Sequence, residues 1–256
     1  MDCGSPCGRL ADAEWWRPYV RYYGSEAPSQ FARVLAESIP IDEGKTRLLD
    51  LGCGSGIIGI CALLKRRAAF VTFTDTVDQW IQSASRNLAL HVSAGTIRSS
   101  QFHLRSAAPF TSLSADFIRG HNLIAFNPPQ LPEDDVDVLT RFAMKSDPVK
   151  HRFRNGGPTG LDVVESFLDW YANLPGVQPP AVLLLSSFLN RRMIDCVIRI
   201  RGLQPEVIAA TRVPLRMLFW EKAALLSSLE REERSLAFDG GQWTKELLTV
   251  RLQRPV

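Results

Sequence analysis

The chain predicts an α/β fold with a doubly wound, mostly parallel, seven-stranded sheet, and three observations carry that prediction. Short apolar runs alternate with amphipathic helical stretches along most of its length, the pattern of a sheet covered by helices on both faces. Residues 181 to 186, Ala-Val-Leu-Leu-Leu-Ser, are apolar almost throughout, as suits a central parallel strand. The stretch Arg47-Leu-Leu-Asp-Leu-Gly-Cys-Gly-Ser-Gly56 passes from an apolar strand into glycines at every second position. There the backbone can turn sharply and a ligand can come close to the main chain.

In chain order, residues 15 to 23 hold five aromatics, Trp15, Trp16, Tyr19, Tyr22 and Tyr23. With a helix predicted over 29–39 they make residues 1–40 a short N-terminal helical lid, and 41–256 the main domain. The first strand spans 47–52 and its helix 56–66. The second strand, 70–74, is rich in β-branched and aromatic residues and ends at Asp75. Val77, Ile81, Ala84, Leu88 and Val92 recur at steps of three and four and predict an amphipathic helix. A third strand is expected at 100–105 and a fourth at 123–126, running into Asn127-Pro128-Pro129-Gln130. A polar loop follows, with acids at 133, 134, 135 and 137 and with His151, Arg152 and Arg154. Helices are expected at 161–173 and 189–201, the second closed by Gly202. Strand six covers 206–213, and an alternating strand at 247–252 closes the sheet. The helix between them carries Glu230-Arg-Glu-Glu-Arg234, expected to be a solvated face.

Composition narrows the function classes. With 256 residues, 45% apolar and 22% charged, the chain suits one sizeable globular domain. A net charge of +3 is too small to argue for nucleic acid or a membrane surface as partner. The five cysteines, Cys3, Cys7, Cys53, Cys61 and Cys196, are odd in number and scattered, which suggests reduced thiols in the cytoplasm. Cys3 and Cys7 lack a second pair at ligand spacing, so no metal is expected. No signal peptide and no membrane span is expected.

The candidate chemistry lies at the carboxyl ends of the strands, where open α/β sheets bind ligands. Free N–H groups at the helix start after the glycine turn favour an anionic group. Gly54 to Gly59 also fits the dinucleotide pattern G-x-G-x-x-G, and an acid such as Asp75 at the end of the second strand can bind the ribose of more than one cofactor. In Asn127-Pro128-Pro129 the prolines stiffen the chain and hold the preceding residue extended. The Asn127 side-chain oxygen and the Pro128 carbonyl can then accept two N–H bonds from one amine or amide.

The segments 50–56, Asp75, 123–129 and Gly156-Gly-Pro-Thr-Gly-Leu-Asp162 stand in the order found in class I S-adenosylmethionine (SAM) methyltransferases with an Asn-Pro-Pro motif. Among these the chain resembles the protein-glutamine methyltransferases of the release-factor, HemK-like type. The resemblance implies SAM as cofactor and a Rossmann-like fold. It implies that Asp50, Gly52, Gly54 and Gly56 hold the amino-acid end, that Asp75 holds the ribose, and that Ser106 stands near the adenine. Asn127, also beside the cofactor, and Pro128 would orient an acceptor nitrogen. Gln130 replaces the family's aromatic and His121 its usual Asp before the fourth strand. The 49 residues before Asp50 are fewer than the family's substrate-gripping domain needs. The expectation is therefore methylation of a nitrogen in a small polar molecule, selected by Gln130 under a lid bearing Tyr22 and Tyr23, with nucleic acid an unlikely partner. Two alternatives share the fold: cyclisation of SAM itself to azetidine-2-carboxylate and methylthioadenosine, and methylation of a protein glutamine.

Overall fold

The computed structural model describes residues 34–39, 45–106, 109–133, 155–215 and 217–253. Residues 34–38 are helical, inside the helix expected at 29–39. Tyr22, Tyr23 and the rest of the aromatic lid lie outside the described residues, as do the acids after Glu133 and His151, Arg152 and Arg154. The fold is α/β with mostly parallel strands, and the chain divides into two compact units, Met1–Asn127 with Leu174–Val182, and Pro128–Asn173 with Leu183–Val256.

In the first unit the elements are β1 (Arg47–Leu51), α1 (Ile57–Leu64), β2 (Phe70–Asp75), α2 (Asp78–Ser93), β3 (Phe102–Ser106), α3 (Ala115–Arg119) and β4 (Leu123–Phe126). The strand order is β3-β2-β1-β4, and each adjacent pair is parallel. The chain therefore steps outward from β1 to β3 and returns to the other side of β1 as β4. That reversal is a topological switch point at the carboxyl ends of β1 and β4. β1 and β4 are buried because Leu48, Leu49, Ile124 and Ala125 meet no solvent.

α2 buries a face that shares Ala84 and Leu88 with the predicted apolar spacing but is turned away from Val92. The buried residues are Trp80, Ser83, Ala84, Asn87, Leu88 and His91, while Val92 is exposed. The buried stripe carries a polar residue on each turn, Ser83, Asn87 and His91, and Asn87 donates to the Ser55 carbonyl while the His91 ring bonds the Thr96 hydroxyl. α3 opens as its sequence suggests, with the Ser114 hydroxyl accepting the Phe117 N–H. His121 bridges α3 to the sheet. Its Nδ1 donates to the Phe117 carbonyl at 3.0 Å and its Nε2 accepts from the Thr72 hydroxyl at 2.8 Å. Burial holds its pKa below the ordinary histidine value, consistent with a neutral ring.

The second unit contains α4 (Asp162–Asn173), most of β5 (Ala181–Ser186), α5 (Arg191–Arg199), β6 (Gln204–Pro214), α6 (Trp220–Leu229), β7 (Leu236–Asp239) and β8 (Gln242–Gln253). β8 pairs antiparallel with β6 through a bulge between Val207 and Ala209, and with β7 as a hairpin. β7 is an addition to the seven strands expected. The charge run 230–234 lies beyond α6 and is not a solvated helical face. Asn190 caps α5 by accepting the Met193 N–H, and its amide donates to Glu230 at 2.7 Å and to Glu233. Arg234 donates to Glu230 at 2.9 Å and to the Phe188 carbonyl. The run thus ties the loop before β7 to the start of α5. No helix among the described residues is long and apolar enough to cross a membrane.

Candidate active site

The glycine turn is held from three directions within the first unit. Gly56 N–H donates to the Cys53 carbonyl at 2.8 Å, closing the turn, and Cys53 N–H donates to the Thr74 carbonyl at 2.9 Å. Gly56 itself is the N-cap of α1 in the left-handed region, φ 81°, and so offers no capping side chain. Asp50 supplies the missing acceptor from the strand behind, its Oδ2 taking the Gly59 N–H at 2.9 Å. A carboxylate at a helix start is favoured by the helix dipole. α1 lies so close to β2 that a Cβ at Gly59 would fall 2.7 Å from Val71 Cγ1 and closer still to the Phe73 ring.

Asp75 closes the arrangement. Its Oδ2 accepts the Gly54 N–H at 2.9 Å and its Oδ1 the Val77 N–H at 3.0 Å. The carboxylate keeps a lone pair for a hydroxyl. Burial pushes the Asp75 carboxyl above its usual range, while the N–H bonds from Gly54, Val77 and Thr76 oppose the rise. Asp50 is wholly buried and pushed up to about 7 by that burial, against the lowering bond from Gly59 and with a smaller contribution from Asp75. Burial also raises the Cys53 thiol, with Asp50 and Asp75 adding to it.

Phe126 pairs with Leu51, so Asn127 leaves β4 beside the start of the glycine turn. A Cβ on Gly52 would meet the Phe126 ring at 3.3 Å, which makes that ring one wall of the turn. Ser106 pairs with Asp75 across β2 and β3, and its hydroxyl donates to Asp78 at the start of α2. The first unit therefore brings Asp50, Gly52, Gly54, Gly56, Asp75, Ser106 and Asn127 to one end of its sheet. The residues suit SAM on two counts. Asp50 Oδ1 is a buried acceptor with no partner among the described residues, and a Cβ on Gly54 would meet nothing within 4 Å, so the main chain there is open to approach.

In the second unit Pro128 is buried and Gln130 is half-buried. Gln130 is engaged at both ends of its carboxamide. Nε2 donates to the Leu184 carbonyl at 2.9 Å and to the Pro128 carbonyl at 3.3 Å, and Oε1 accepts the Ser186 N–H at 2.6 Å. The segment 155–162 packs on the same loop, with Gly156 N–H donating to the Leu131 carbonyl at 2.8 Å and Glu133 N–H to the Gly157 carbonyl at 3.0 Å. A Cβ at Gly160 would lie 2.8 Å from the Gln130 carbonyl oxygen.

Residues 27–158 match the family model described as the methyltransferase small domain. The chain belongs to that family. Curated relatives include the ribosomal RNA large subunit methyltransferase G of Aliivibrio salmonicida, 36% identical over 84 residues, which are 33% of this chain and 22% of that protein. The protein of the same name from Streptomyces griseus is 29% identical over 138 residues, 49% of this chain and 30% of that protein. The chain thus spans less than a third of the length of either relative. Among solved structures, the E. cuniculi Mtq2-Trm112 complex matches with a TM-score of 0.51 at 16% identity, covering 88% of this chain and 96% of that one. The YcgJ protein of Bacillus subtilis matches with a TM-score of 0.50 at 12% identity, covering 89% and 99%. Both show the fold alone.

These relatives correct the partner expected from composition. A small-molecule substrate with nucleic acid unlikely does not fit a methyltransferase whose named relatives act on ribosomal RNA. The low net charge is a sum over the whole chain and measures no local surface. Asn87, Ser55 and Phe126 also belong to this arrangement, packing directly against or within the turn. Their one mark in the sequence is a polar residue, Asn87, beside Leu88 in the helical pattern.

Proposed function

We propose that this methyltransferase transfers the methyl group of SAM to a nitrogen of a base in RNA. The observation that carries the reading is the position of Asn127, one residue past the Phe126–Leu51 pair and so beside the glycine turn. SAM supplies a methyl already activated on a sulfonium, which moves to the nitrogen lone pair as the sulfur keeps the bonding electrons and the nitrogen proton leaves to water. The chain's task is then to orient the nitrogen. The Asn127 side-chain oxygen and the neighbouring Pro128 carbonyl accept its N–H groups, which aims the lone pair at the methyl. Holding the two reactants in line can supply much of such a rate enhancement. The Pro128 carbonyl already takes one bond from Gln130, and a carbonyl oxygen can take a second. Gln130 fits a brace for this loop better than a substrate contact. Asp75 would hold the ribose, Asp50 and the turn Gly52–Gly56 the amino-acid end, and Ser106 the region of the adenine. The RNA in this reading comes from the printed names of the curated relatives.

Incubation of the protein with methyl-labelled SAM and deproteinised ribosomal RNA, followed by nucleoside mass spectrometry, tests it. The expected product is an N-methylated base, and Asn127→Ala should cut its formation by about 100-fold or more while SAM affinity stays within about threefold. Label found only in protein, or methylthioadenosine released with no acceptor present, would overturn the reading.

A further inference from the structure

Asn87 sits on the sheet-facing side of α2 and is 1% exposed. Its Nδ2 donates to the Ser55 carbonyl at 2.9 Å, across a sequence separation of 32. Ser55 is the middle residue of Gly54-Ser55-Gly56 and is itself 1% exposed. The Ser55 carbonyl and the Gly56 N–H belong to one peptide plane. Asn87 therefore holds one edge of that plane while the Cys53 carbonyl holds the other at 2.8 Å. The plane joining Cys53 to Gly54, two earlier in the turn, is held through the Gly54 N–H by Asp75. The glycine turn is thus clamped by two side chains, one from the end of β2 and one from α2.

The clamp has a local cost. Asn87 Oδ1 and Ser55 Oγ are both buried with no hydrogen-bond partner among the described residues. Unpaired buried polar atoms are destabilising, and an apolar side chain of similar size at position 87 would remove one of them. At that cost, the bond Asn87 makes ties α2 to the backbone of the glycine turn rather than adding to the apolar core.

We propose that Asn87 is a positioning residue for the cofactor. It touches Ser55, not SAM, and it pre-sets the glycine turn in the conformation that receives SAM. The proposal rests on the reading that this turn is the cofactor cradle.

Calorimetric titration of SAM and S-adenosylhomocysteine into the full chain tests it without any acceptor, using Asn87→Leu, Asn87→Asp, Asp75→Ala and Ile118→Val. Leu fills the space without a donor, and Asp is isosteric but places an acceptor against the carbonyl. Both should raise Kd by about tenfold, the equivalent of one lost hydrogen bond, with the Leu variant exchanging the unpaired Asn87 Oδ1 for an unpaired Ser55 carbonyl and melting close to the wild-type temperature. Ile118→Val, in the buried core of α3, should lower Tm and leave Kd unchanged. Kd within twofold of wild type in folded Asn87→Leu or Asn87→Asp overturns the proposal, as does an equal change in Ile118→Val. If Asp75→Ala weakens binding and the Asn87 variants do not, this proposal alone fails. If Asp75→Ala also leaves Kd unchanged, the placement of the cofactor at the turn fails with it.

Discussion

The carboxylate of Asp75 accepts the backbone N–H of Gly54 at 2.9 Å, so the end of β2 holds the turn that follows β1. This bond gives Asp75 two tasks, orienting the turn and offering its remaining lone pairs to a ribose. Asp75→Ala removes both, and Kd for SAM should rise by at least about tenfold. Asp75→Asn keeps one acceptor and should fall between the alanine variant and wild type. Isothermal titration calorimetry orders the three, and equal affinities would exclude Asp75 from the site.

Asp50 makes the stability of the free protein depend on pH. Its folded pKa is about 7 against an ordinary 3.8, so between those values the folded chain binds the extra proton. The resulting stability is complete below the unfolded value and is lost as pH rises toward 7. Asp75 is raised as well and acts in the same sense. His121 is lowered and acts oppositely, its contribution fading as pH falls. The difference between wild type and Asp50→Asn isolates the first effect. Urea unfolding should show wild type losing on the order of 2 kcal/mol relative to Asp50→Asn between pH 5 and pH 8. A constant difference across that range would contradict the buried, protonatable state.

Gly160 has φ 83° and sits under the loop that follows β4. An alanine there meets the Gln130 carbonyl and Leu189 Cδ2, each at 2.8 Å, in a backbone region that side chains avoid. Gly160→Ala should cost about 2 kcal/mol or more, read as a fall in the urea midpoint. Gly202→Ala, with positive φ but open space around its Cβ, should cost about 1 kcal/mol.

Gln130 distinguishes a brace from a substrate contact. Its carboxamide joins Leu184 and Ser186 on β5, so Gln130→Leu leaves a carbonyl and an N–H without that partner. The expected loss is about 2 kcal/mol of stability, measured by thermal or urea unfolding. A residue that only touched substrate would leave the midpoint unchanged.

Much of the site is legible in the chain because its signals are local. An apolar run, glycines at every second position and a helical apolar pattern specify β1, the turn and α1 within about twenty residues of one another. An acid at the end of β2 and an asparagine at the end of β4 come to the same edge once the strands are parallel and β1 lies between them. What the pattern misread were faces and partners. Spacing placed Val92 on the buried side of α2, where Asn87 and His91 stand instead. The charge run at 230–234 read as solvated, yet Glu230 and Glu233 bond the cap of α5. Gln130 read as a substrate ligand by its place in a motif, but its bonds go to β5, a sequence separation of 54 and 56 away.

The sequence by itself determined the strands and helices that frame the site, the glycine turn and the acids and asparagine that end its neighbouring strands, because each rests on backbone preferences and apolar periods spanning a few residues. Only the tertiary structure decided which buried polar atom meets which: Asn87 with Ser55, Asp50 with Gly59, Gln130 with β5. Such pairings are chosen when packing expels water and each donor must take whatever acceptor the neighbouring element presents.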